Sequence, residues 1–167
     1  YCAVRIPKNK FLLNVIKKVN KPLVMPSANK FKQLSPVSAK MAHQNFKTSN
    51  LTILDGGKCK VGIESTMLKI INQKIEVIRY GLIDVFDVLK KLPHFRIKQT
   101  INEYFPGTSN KHYSPIKPLY INQKTVKKGS AFIGFGNAKK NEFKNLSLKK
   151  NLKEAASRLY YYFYLVD

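Results

Sequence analysis

Apolar positions along the chain recur in two rhythms. Phe11, Leu12, Val15, Ile16 and Val19 fall three and four apart, which predicts a helix over 9–19. Leu152, Ala155, Ala156, Leu159, Tyr160, Phe163 and Val166 repeat that spacing and predict a helix over 151–166. Residues 84–92 form a shorter amphipathic helix. Ser35-Pro36 supplies an N-cap residue followed by proline at the first helical position, so a helix is expected over 36–46. Shorter apolar runs read as strands: 2–6, 22–26, 51–54, 62–71, 74–79, 118–121 and 130–135. The run at 51–54 stops at Asp55-Gly56-Gly57, a turn signal. Those at 62–71 and 74–79 flank Asn72-Gln73 as a hairpin.

From 93 onward Pro93, Pro106, Gly107, Pro115 and Pro118 interrupt both rhythms. The expectation is an extended connector over 93–117, and connectors longer than about 15 residues are often functional. The chain therefore divides into an α/β unit at 1–92, the connector, and a smaller α/β unit at 118–167. It opens inside a strand instead of at a methionine, and its last helix lacks a stop signal. Both ends read as cuts in a longer protein.

Composition narrows the classes. With 44% hydrophobic and 24% charged residues in 167, a core is affordable and general disorder is excluded. No apolar run reaches the about 18 residues of a membrane helix, so no membrane partner is expected. Basic residues outnumber acidic ones 31 to 9, a net charge of +22. That balance favours polyanions such as nucleotides or nucleic acid. Lysine supplies 27 of the 31, and Asn and Ile number 14 each, a bias that AT-rich coding also produces. Cys2 and Cys59 have no metal-ligand spacing, and two cysteines are no disulfide framework. A reducing, cytoplasmic setting fits. His43, His94 and His112 are scattered, so no metal site is expected.

Six places could carry chemistry. Pro26-Ser27-Ala28-Asn29 follows a strand, where hydroxyl, amide and backbone N–H groups can hold a phosphate; an ordinary turn looks the same. Ser35 serves as a helix cap or as part of an anion site. DGGKCKVGIEST, at 55–66, couples close-approach glycines to the hydroxyls of Ser65 and Thr66, or is simply a glycine turn entering a strand. Arg79, in Arg79-Tyr80-Gly81, ends a strand where a guanidinium can reach a phosphate or remain a surface charge. Pro106-Gly107 and Lys111-His112-Tyr113-Ser114-Pro115 suggest a segment strapped over a surface. Arg5 lies in an apolar strand and, if it points inward, needs a carboxylate: a ligand's, Glu64 or Asp55.

In this order and at these distances, Arg5-Ile6-Pro7, PSAN, Leu34-Ser35-Pro36, DGG-x-C-x-x-GIEST, Arg79-x-Gly81 and PG-x4-HYSP together resemble the threonylcarbamoyl-AMP synthase family, the YrdC-like enzymes of tRNA modification, in its two-domain branch. The resemblance implies a mixed, twisted sheet with a truncated second domain. It implies an enzyme joining L-threonine, bicarbonate and ATP, with Mg²⁺ accompanying the ATP, into threonylcarbamoyl-AMP and pyrophosphate. A downstream transferase would pass the group to tRNA. Carried over, Arg5, Met25 and Ser65 would meet threonine. Tyr1, Ser27, Asn29, Ser35, Arg79 and Tyr113 would meet ATP, with Tyr113 as a lid. The pattern departs from the family where Lys32 stands in the region of a usual glycine between PSAN and Ser-Pro, where Tyr80 replaces a proline, and where Thr108, Ser109 and Asn110 precede the basic residue and His112. Because the family's amino-terminal half is missing, little activity is expected of these residues alone. The alternative is a non-catalytic remnant that binds tRNA or double-stranded RNA through its charge.

Overall fold

A computed structural model describes residues 2–48, 50–98 and 112–167. Helix α1 spans Lys10–Val19. The Asn9 side chain accepts from Leu12 N–H at its start, and Asn20 closes it in the left-handed region, donating to the Ile16 carbonyl at 2.9 Å. Helix α2 spans Ala39–Asn45 and is capped by Ser38, whose hydroxyl accepts from Met41 N–H. The expected start at Ser35-Pro36 is therefore wrong by one turn. The Val37 carbonyl accepts from Cys59 N–H at 2.9 Å, a sideways bond that holds Pro36 and Val37 out of the helix. Leu34, Val37 and Met41 are buried.

Strands β1, Met67–Ile71, shorter than the expected 62–71, and β2, Lys74–Arg79, form the expected hairpin. Asn72 and Gln73 both have positive φ, the requirement of a type I′ connection. Helix α3, Val85–Lys91, starts on the Asp84 side chain and leads to β3, Arg96–Lys98, which pairs parallel to β2. The sheet is thus mixed, in the order β1-β2-β3. β3 occupies the start of the expected connector: Arg96-Ile97-Lys98 alternates too briefly to stand out, and its pairing with Lys74, Ile75 and Glu76 is what makes it a strand. Ile75, in the central strand, is wholly buried. Beside it Glu76 is 5% exposed and is bracketed by Lys98 at 2.8 Å and Lys69 at 3.7 Å, its partners on the two flanking strands. The Lys98 hydrogen bond, then the charges of Lys98 and Lys69, hold the Glu76 carboxyl below the ordinary glutamate value against the opposing effect of desolvation.

Further along, β4 is Ile133–Gly134 and β5 is Lys144–Asn145, a short parallel pair. β4 is shorter than the expected 130–135, β5 has no signal in the apolar pattern, and 118–121 forms no strand among the described residues. Helix α4 spans Leu152–Val166, capped by Asn151, which accepts from Glu154 N–H at 3.0 Å. Buried Ser147 donates to Glu154, which also pairs with Arg158 at 2.7 Å, fixing the helix start to the chain before it. At its other end the Asp167 carboxylate accepts from Ile116 and Lys117 N–H groups. α4 also packs against the first unit: Gly62 N–H donates to the Ala156 carbonyl at 3.1 Å. A Cβ at Gly62 would stand 2.8 Å from the carbonyl oxygens of Ala156 and Ser157, so only glycine permits this approach.

Three expected strands behave differently. Residues 2–6, 22–26 and 51–54 run without a ladder partner among the described residues. Their apolar side chains face water: Val4 is 85% and Val24 99% exposed, and Leu51 and Leu54 are exposed too.

Candidate functional site

The hairpin end builds a polar cluster. A bulge between Met67 and Leu68 breaks the β1–β2 register and turns the strand ends, as bulges do beside functional groups. Arg79 Nε then donates to the Ser65 carbonyl at 3.0 Å, and its terminal nitrogen donates to the Ser65 hydroxyl at 3.3 Å. Glu64 lies 3.9 Å from the same guanidinium. Gly81 makes this closeness possible. A Cβ there would stand 2.3 Å from Thr66 N and 2.6 Å from the Glu64 carbonyl oxygen. The Arg79-x-Gly81 spacing is therefore steric: the glycine lets the chain after β2 lie on residues 64–66.

Tyr113 covers the cluster, its ring 5.8 Å from the Arg79 guanidinium carbon. Its φ is +50°, a conformation a bulky residue adopts only when its surroundings impose it. Those surroundings are His112, whose ring meets it edge-on at 4.1 Å, and Ser114, whose N–H donates to the Lys32 carbonyl at 3.1 Å. Phe31 meets the other side of His112 at 6.2 Å. From α4, Tyr160 joins the group. Burial, then Glu64 and Tyr113, push its phenol up to about 12 against the pull of Arg79, so it stays a neutral donor.

The Lys32–Ser114 bond ties this cluster to the PSAN loop. The Asn29 amide donates to the Lys30 and Gln33 carbonyls at 3.0 Å and accepts from the Ser35 hydroxyl at 3.4 Å. Asn45 of α2 donates to the Ala28 carbonyl at 3.0 Å. Lys32 has φ +68°, a conformation that favours glycine. Ser35 is thus a partner of Asn29 and not a helix cap.

Of the named residues, the fold brings Ser65, Arg79 and Tyr113 together and joins Asn29 and Ser35 to them through one loop. Arg5, Met25 and Ser27 stand exposed on the extended segments, with no hydrogen bond or ion pair to the cluster among the described residues. Glu64 is taken by Arg79, so it is not the partner of Arg5. Tyr1 and the Pro106-Gly107 part of the connector lie outside the described residues. Two of the cavities lie away from them, one between β2 and β3 lined by Glu76 and Lys98 and the other against α4; neither is lined by a named residue. Tyr160 was missed because its helical spacing marks it as core; Gly81 was named in the motif, but its steric role was not legible because the clash it avoids is tertiary. Among the described residues no group of three His, Cys, Asp or Glu could hold a metal, and no helix is long and apolar enough to cross a membrane.

Known proteins are similar to this chain. The family model Sua5/YciO/YrdC, described as Telomere recombination, matches residues 1–81. Threonylcarbamoyl-AMP synthases of Pyrococcus abyssi and Schizosaccharomyces pombe are 29% and 32% identical over 125 and 130 residues, each match covering 71% of this chain. The Bacillus subtilis synthase is 27% identical over 124 residues, again covering 71%. This chain matches the Sua5/YciO/YrdC model over just under half of its length. It spans about a third of the length of these relatives: 37%, 32% and 36%. The fold agrees as well. A crystal structure of P. abyssi Sua5 complexed with L-threonine superposes with a TM-score of 0.71 at 21% identity, over 98% of this chain and 54% of that one. A P. abyssi Sua5 variant with a His and the adjacent Tyr both changed to Ala gives 0.67 at 20% identity, over 96% of this chain and 51% of that one.

Proposed function

We propose that this chain is a member of the Sua5/YciO/YrdC family and carries part of a threonylcarbamoyl-AMP synthase site. In that reaction L-threonine, bicarbonate and ATP give threonylcarbamoyl-AMP, pyrophosphate and water. The threonine amine and bicarbonate form a carbamate with loss of water. A carbamate oxygen then bonds to the α-phosphorus as the bond to the departing pyrophosphate breaks. The work asked of the protein is positioning and charge stabilisation. The observation that carries the reading is the Arg79–Ser65–Tyr113 cluster, bound through Lys32 and Ser114 to the loop of Asn29 and Ser35.

Arg79, held by two bonds to Ser65, would present a fixed guanidinium to phosphate. Asn29, Ser27 and Ser35 would line the phosphate side, and the backbone near Tyr1 would touch ATP. Ser65, Arg5 and the backbone around Met25 would take threonine, and Tyr113 would close over the nucleotide. Magnesium would arrive with ATP as part of the substrate. The product would pass to a transferase acting on tRNA. Two free cysteines fit the cytoplasm.

The test is pyrophosphate release by the full-length protein, with threonine and bicarbonate each omitted in turn. Release should need both, and Arg79→Ala should lower it about 100-fold, the scale of losing one donor to developing charge. Release indifferent to threonine would refute the reading. The 167 residues alone should show little turnover, since Arg5, Met25 and Ser27 lie on segments without a supporting layer.

A further inference from the structure

The second cavity, of about 520 Å³, lies where α4 meets the first unit, and the synthase reading uses none of it. Val37 and Ser38 line it from one side, Lys58, Cys59 and Lys60 from another, and Ser157, Arg158, Tyr161 and Tyr162 from α4. Its volume is that of a small-ligand site. Its chemistry is one-signed: three cations and no carboxylate line it. Arg158 is occupied by Glu154 at 2.7 Å and by the Leu146 carbonyl. Lys58 and Lys60 have no carboxylate within 4 Å among the described residues. The Lys58 ammonium rests instead 5.4 Å above the Tyr161 ring, a contact that is weak at exposed positions. Tyr161 and Tyr162 lie 6.2 Å apart and tilted by 45°, two aromatic faces beside two unpaired ammonium groups.

We propose that this cavity is a nucleotide-binding site, with a phosphate on Lys58 and Lys60 and its base against Tyr161. A base settling on that ring would displace the Lys58 ammonium toward the phosphate. Every base offers a π-face, so the site would bind without sequence preference. The same chemistry could come from an unpaired residue of an RNA strand or from a free nucleotide. The net charge of the whole chain, +22, favours the strand, whose further phosphates would lie outside the cavity. The proposal is independent of the synthase reading.

Uridine ligands test it without engaging an adenylate site. An oligouridylate of about 12 nucleotides, within the span such grooves cover, should bind, and Tyr161→Ala should weaken it about tenfold. Lys58→Ala with Lys60→Ala should reduce the slope of log affinity against log salt by about 0.7 per lost contact. Replacing Lys17 and Lys18, which line neither cavity, should leave Tyr161 sensitivity intact and change the slope less. A second measurement needs no change to the site. In a Cys2→Ser protein, oligouridylate should slow alkylation of Cys59, assayed at alkaline pH because partial burial and then Glu64 raise that thiol. Protection by the strand alone assigns the site to RNA; equal protection by uridine monophosphate assigns it to free nucleotides. Equal salt slopes for the two lysine pairs, or unprotected Cys59, would overturn the proposal in favour of diffuse charge.

Discussion

Arg79 shows how a single side chain acquires a task. Its guanidinium is planar and bonds Ser65 at two points, backbone and hydroxyl, while stacking toward Tyr113. A lysine keeps the charge but not the fork. Arg79→Lys should therefore weaken ATP binding about tenfold or more in a direct binding titration; equal affinity would show that charge alone suffices. Gly81 is tested through stability. Gly81→Ala forces a methyl into backbone atoms already within 3 Å of it, so the unfolding free energy should fall by about 1–3 kcal/mol in denaturant titration. Lys32 works the other way. At φ +68° it occupies a conformation that favours glycine, so Lys32→Gly should raise stability by up to about 1 kcal/mol. Arg79 was legible as a candidate because it is one of four arginines in a lysine-rich chain. The need for Gly81 was not, since its clash partners are fifteen or more residues away.

At the scale of elements, the sheet hangs on the Lys69–Glu76–Lys98 row that crosses all three strands. The folded Glu76 pKa lies below its ordinary 4.5. Its stabilising effect is therefore complete above that value and is lost as pH falls through the lowered folded one. Melting temperature should drop on acidification across this range, and Glu76→Gln should flatten that dependence. An unchanged acid profile would show the row to be ornamental. Helices α1, α3 and α4 were legible because amphipathic spacing and caps are local: Asn9, Asp84 and Asn151 each bond an N–H of the following turn. The start of α2 was misread because Ser35-Pro36 has the local form of a cap, while the Val37 carbonyl is claimed by Cys59, more than twenty residues away.

For the whole molecule, the decisive feature is backbone without a ladder partner among the described residues, beside exposed apolar side chains, at 2–6, 22–26 and 51–54. Such edges recruit other chains. The 167-residue protein should self-associate in sedimentation experiments, and Val4→Lys with Val24→Lys should shift it toward monomer; unchanged association would assign the contact to another surface. Local chemistry alone determined the hairpin at Asn72-Gln73, the long helices, the α/β class and the ordered motifs that mark the family. Those signals lie within a few residues of one another, or recur at a helical period. Only tertiary structure decided which motifs meet. Ser65 and Arg79 converge through the bulge and Gly81, while Tyr113 and Tyr160 arrive from distant segments. Arg5, Met25 and Ser27 stay apart, because their extended segments have no pairing partner among the described residues to carry them inward. Side-chain convergence depends on ladders and packing between remote segments, and no local pattern encodes that.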